Sequence, residues 1–162
     1  MRIHDLYIAS PNCTAPGFSH SQGAMYLSTG WHGAARGITI EDRAAKFEEI
    51  YKQLVWLEAA VAGEYLSGSK VTMSDMTWFP TCTFMEFMLP KYGWGEIFDA
   101  SNSSTPFPKL AQWYTLCQEM EGFRDTRAEI WEYWDEMEKK GQFEPIMREI
   151  EEAPVHLKFK FP

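Results

Sequence analysis

Thr72 stands three residues before Asp75, at the head of the most apolar stretch of the chain, Met76 to Leu89. A threonine oxygen can accept from first-turn N–H groups, and an acid three residues on can reach back to the cap. Val71 before the cap and Met76 after it fit a hydrophobic staple. The pattern predicts a helix that begins at Thr72 and runs, apolar on nearly every side, to Leu89 before Pro90. A helix of that kind is a buried one, so other helices must surround it. Pro80 within it predicts a kink.

The flanking segments supply those helices. Phe47, Ile50, Tyr51, Leu54, Glu58, Val61 and Tyr65 keep the i, i+3, i+4 spacing, with Glu58 the one polar member. Thr39 with Asp42 is a plausible cap, and this helix should fade between Gly63 and Ser67. After a long connection, Pro106 and Pro108 suit the first turn of a third helix bearing Leu110, Trp113, Tyr114, Cys117 and Met120. Gly122 is the expected stop. A fourth helix, Phe123 to Lys140, places Ile130, Trp131, Trp134 and Met137 on one side and acids on the other, with Gly141 as its C-cap. A short acidic helix follows at Pro145 to Glu151.

Residues 1–38 differ: they are rich in Gly, Pro, Ser and Thr and sustain no helical period. They read as an irregular arm with one short strand at Leu6-Tyr7-Ile8. At the other end, Val155 to Phe161 alternates apolar and polar residues at the strand period. A lone strand is not stable by itself. It either lies along the helices or adds to the sheet edge of a partner. The expected organisation is an arm at 1–38, a helical domain at 39–152 and an extended tail at 153–162. The fold class is all-α, a bundle of four to five helices.

Composition narrows the functional classes. The net charge is −8, without the basic footprint of a nucleic-acid binder. Glu86 interrupts the one long apolar run, which is too short to span a bilayer. Cys13, Cys82 and Cys117 form no disulfide spacing, and no secretory signal is visible, so the expected setting is a reducing interior, cytoplasm or organelle. His4, His20, His32 and His156 show no ligand spacing, so no metal is expected. Aromatic residues reach 15%, a share that points to a bulky core, a binding groove or a partner surface.

Two segments carry a family resemblance. Tyr65-Leu66-Ser67-Gly68 leading into Thr72-Met73-Ser74-Asp75, and Phe107-Pro108-Lys109-Leu110-Ala111-Gln112-Trp113 followed by Gly122-Phe123-Arg124, together resemble the C-terminal all-helical domain of glutathione S-transferases. The resemblance covers roughly residues 39–140. It implies a folding role for Thr72 and Asp75, and an apolar ligand pocket along Trp78, Phe79, Cys82 and Met85. The alternative for these four is a plain buried core. In that family a thioredoxin-like domain of about eighty residues precedes the helices and supplies glutathione binding and the activating residue. The 38 residues before Thr39 do not encode it. Leu6 to Cys13 is similar to that domain's first strand and catalytic loop, but no βα units follow.

The resemblance therefore implies a helical half without its catalytic half and with no catalytic residue of its own. The leading expectation is a non-catalytic module, a structural or interaction subunit of a larger assembly, without a cofactor. Its protein partners would meet the N-terminal arm, the aromatic surface or the C-terminal tail. The alternatives are a glutathione-dependent transferase or thiol reductase whose other half lies elsewhere, with glutathione as cofactor, and a carrier of apolar small ligands.

Overall fold

Thr39 opens the first helix, its Oγ1 accepting the Asp42 N–H at 3.1 Å. The computed structural model describes residues 38–161, so the expected arm and the Cys13 segment lie outside the described residues. Helix α1, Ile40–Ala60, buries Phe47, Ile50, Leu54 and Leu57 along one stripe. It ends before Gly63, because the chain turns back on itself. Tyr65 and Gly68 exchange backbone hydrogen bonds at 2.8 and 3.2 Å, and the Ala62 N–H reaches the Leu66 carbonyl. This turn closes tightly over Gly63, where a Cβ would stand 2.7 Å from the Gly68 carbonyl oxygen. Tyr65, expected on the helical stripe, belongs to this turn.

Helix α2, Met73–Met88, follows Thr72 and is the centre of the bundle. It runs across Pro80 and passes into a 3-10 turn, Leu89–Tyr92, which takes in Pro90. Gly93 ends that turn at φ +86°, a conformation that favours glycine. Helix α3, Pro108–Gln118, has Pro108 in its first turn, where a missing N–H costs little, while Pro106 remains in the connection. Helix α4, Glu121–Lys139, packs along α2, with Phe84 against Trp134 at 4.5 Å and Phe87 edge-on to Trp131 at 5.1 Å. Helix α5 is Glu144–Glu151. A buried Arg43 pairs with Glu149 at 2.8 Å and ties α1 to α5.

Two boundaries differ from expectation. Gly122 does not stop α3; it lies in the first turn of α4. The chain leaves α3 through short bonds from Glu119 N–H to the Leu116 carbonyl and from Met120 N–H to the Cys117 carbonyl. That exit needs no left-handed residue, whereas Gly141 beyond α4 does adopt φ +73°. The alternating tail is not a strand, and no strand occurs among the described residues. Its alternation survives as inside and outside: Phe159 and Phe161 are buried, Lys158 and Lys160 exposed.

The lone acid of the α1 stripe has a defined task. Glu58 accepts the Lys109 N–H at 3.0 Å and the Leu110 N–H at 2.9 Å, so it caps the start of α3 from another helix. Both carboxylate oxygens meet orphan donors at a positive helix end. Glu58→Ala is expected to lower stability by about 1–2 kcal/mol, the usual cost of losing a cap. Glu58→Gln, which keeps one acceptor, should lose about half as much. A urea midpoint unchanged in Glu58→Ala would refute the cap.

Candidate functional site

A cleft of about 850 Å³ opens where α2, the loop after the 3-10 turn, α3 and α4 meet. Met85, Glu86 and Phe87 come from α2, Phe98 and Asp99 from the loop, and Trp131 from α4. Glu86 organises its wall. Its carboxylate accepts from Arg127 twice, Nε at 3.0 Å and Nη2 at 3.1 Å, from the Trp131 indole N–H at 3.0 Å, and from the Tyr114 hydroxyl at 2.8 Å. The Arg127 guanidinium also lies over the Trp131 ring, 4.6 Å from its centre. The Thr83 hydroxyl, 3.0 Å from that of Tyr114, donates to the Phe79 carbonyl. Burial, then the adjacent Glu86 charge, pushes the Tyr114 phenol well above its usual range, so it remains a protonated donor.

Asp75 is the second organising carboxylate and is fully buried. Its Oδ2 accepts the Thr72 N–H at 2.7 Å and the Thr72 hydroxyl at 2.8 Å. Its Oδ1 accepts the Leu66 N–H at 2.9 Å and the Trp113 indole N–H at 2.8 Å. The reciprocal capping box is present. One side chain thus fixes the turn after α1, the start of α2 and the middle of α3.

The two described thiols are poor nucleophiles. Burial drives Cys82 far above its usual value, with Cys117 and Glu86 adding to the effect. Burial, helped by the Asp75 charge, pushes Cys117 up to about 12. Neither carries thiolate at neutral pH. In a Cys13→Ser variant, both are expected to resist a thiol-reactive disulfide reagent in the native state and to react fully in denaturant. Rapid native labelling of either would contradict the burial.

The four residues expected along an apolar pocket are all buried on α2: Trp78, Phe79, Cys82 and Met85. Met85 lines the cleft; Trp78, Phe79 and Cys82 do not. Phe79 lies in an aromatic cage, stacked on Tyr114 at 4.9 Å and edge-on to Phe123 at 4.8 Å and Trp113 at 6.4 Å. Glu86 and Trp131 on the wall, with Tyr114 and Arg127 bonded to Glu86 behind it, were not singled out from the sequence as a group. The one visible signal was an acid inside an apolar run.

Among the described residues, no three His, Cys, Asp or Glu side chains gather as a metal-binding group, and no helix is long and apolar enough to cross a membrane. Comparison with protein families decides the fold's kinship. The family model for the glutathione S-transferase C-terminal domain matches residues 40–116. This segment is similar to a glutathione S-transferase C-terminal domain. The match runs from the start of α1 into α3, and so includes the Glu58 cap, the capping box and the Trp113 bond to Asp75. Helices α4 and α5 and the tail extend beyond it. No curated protein and no solved structure matches the chain.

Proposed function

We propose that this chain acts as a non-catalytic module of the glutathione S-transferase C-terminal type, a structural or interaction subunit of a larger protein assembly. The observation that carries the reading is the commitment of the interior polar groups. Glu86 and Asp75 each hold a full set of donors, and the two described thiols are protonated and buried. A carboxylate saturated in this way is an architectural anchor, poorly suited to moving protons. The surface offers apolar side chains instead: Val55, Met73, Met76 and Met147 are each 40% exposed or more. Met73 and Met76, one turn apart at the start of α2, suit contact with a protein partner.

The test is the native size of the chain in a gentle lysate, followed by size exclusion with specific detection. Elution with a complex several times the chain's 18.8 kDa supports the subunit reading. Elution as a monomer or small dimer removes it. The family match favours a second reading, a glutathione-dependent transferase completed by a thioredoxin-like partner. Retention on immobilised glutathione, released by free glutathione, would favour that reading over the first.

A further inference from the structure

The cleft between α2, α3, α4 and the loop after the 3-10 turn has the size and lining of a small-molecule site. Its volume of about 850 Å³ falls within the roughly 300–1,000 Å³ of ligand pockets. The less accessible part of the lining is apolar: Met85, Phe87 and Phe98 are buried, and Trp131 is half-buried. The more accessible part is acidic: Glu96 and Glu132 are exposed, and Asp99 is half-buried. The concave shape and the rings suit a flat apolar body of any charge. The acids decide which charge it carries.

Three carboxylates of the lining are matched by the chain's own cations. Glu86 meets Arg127 at 3.0 Å, Glu138 meets Lys91 at 2.7 Å, and Asp135 meets Lys139 at 2.6 Å. Among the described residues, Glu96, Asp99 and Glu132 form no ion pair. Asp99 accepts the Ser101 hydroxyl at 2.7 Å and the Ser101 N–H at 2.8 Å, and these bonds hold its carboxyl below the usual range. The cleft therefore keeps an unmatched negative charge. Its rings already take cations: Lys91 Nζ lies 4.3 Å from the centre of Phe87, and the Arg127 guanidinium lies 4.6 Å from that of Trp131. Phe98 carries no such cation among the described residues. A cation beside ring and carboxylate gains from both, whereas an anion would be repelled.

We propose that this cleft binds a small organic cation, its ammonium or amidinium group held by the carboxylates of Glu96, Asp99 and Glu132 and its flat apolar body lying against Met85 and Phe98. The site needs no partner subunit, so it stands or falls separately from the subunit reading.

The experiment uses the full-length chain in equilibrium dialysis against three probes that share one ring system: naphthylmethyl-trimethylammonium, naphthylmethanol and naphthylacetate. The expected result is saturable binding of the ammonium at one site, at least about fivefold weaker binding of the alcohol, and no binding of the acetate. Added salt should weaken the ammonium alone. Glu96→Gln with Glu132→Gln, both exposed, should cost the ammonium at least about threefold and leave the alcohol unchanged. Thr115→Trp, an exposed position of α3 on the cleft lining, should abolish ammonium binding by filling the space. Circular dichroism checks that each variant keeps its helices; if Thr115→Trp does not, Thr115→Lys, which sets a competing ammonium on the same wall, must abolish binding instead. Absence of saturable ammonium binding overturns the proposal, as does equal binding of the alcohol. Full binding by a folded Thr115 variant overturns it too, because the cation would then be held elsewhere on the acidic surface.

Discussion

Replacing Asp75 with alanine is expected to lower the stability of the helical domain by about 3–5 kcal/mol. The change strands the Leu66 and Thr72 N–H groups and the Trp113 indole N–H without their acceptor. A buried donor left unsatisfied costs roughly 1–3 kcal/mol, and hydrogen bonds to a charged acceptor are the stronger ones. Some relief by water at Thr72, which is half-buried, keeps the sum below the simple total. Asp75→Asn is the informative companion. It retains one oxygen, but its amide must face a donor on the other side, so a loss of about 2–3 kcal/mol is expected. Urea unfolding followed by circular dichroism measures both, with the midpoint moving at constant slope. A loss below about 1 kcal/mol for alanine would mean that the hub does not hold the three elements together.

Phe79→Ala should cost a similar amount, about 3–5 kcal/mol, through the cavity it leaves among Trp113, Tyr114 and Phe123. Phe79 is fully buried, so the surrounding rings have little room to collapse. The same reasoning decides how an apolar-ligand role should be tested. Loss of dye binding in Phe79→Ala would reflect a loosened core as readily as a lost contact. Met85→Leu, nearly volume-conserving on the cleft wall, separates the two: stability should change by less than about 1.5 kcal/mol, while a cleft ligand would register the altered shape. Unchanged unfolding of Phe79→Ala would show that the aromatic cage is not a rigid part of the core.

The all-α architecture was legible because its signals are local. Thr39 accepts a first-turn N–H, Asp75 accepts the Thr72 N–H three residues back, and Gly141 answers a backbone requirement at its own position. What was not legible depends on residues far apart in the chain. Trp113 reaches Asp75 across 38 positions, and Glu58 reaches the α3 amides across 51 and 52. Glu58 and Glu86 each stood out as an acid in an apolar pattern, yet spacing alone does not say which donors will face them. Gly122 misled for a physical reason: glycine is also tolerated in a first helical turn, and the exit from α3 used ordinary right-handed residues. The tail's alternation left two readings open, since period-2 burial needs only an extended chain lying on a surface, and here the chain lies along the helices.

The docked tail also sets the order in which this protein can mature on the ribosome. Phe47 and Tyr51 emerge more than a hundred residues before Phe159 and Phe161, the rings that cover them. At typical elongation rates of about 5–20 residues per second, the tail's share of that cover arrives several seconds after Tyr92, Trp94 and Phe107 have been made. The helices can assemble in that interval, but the aromatic seam closes only once Phe159 and Phe161 have been made. A chain interrupted before Phe159 would hold its helices through α5 with that seam still open.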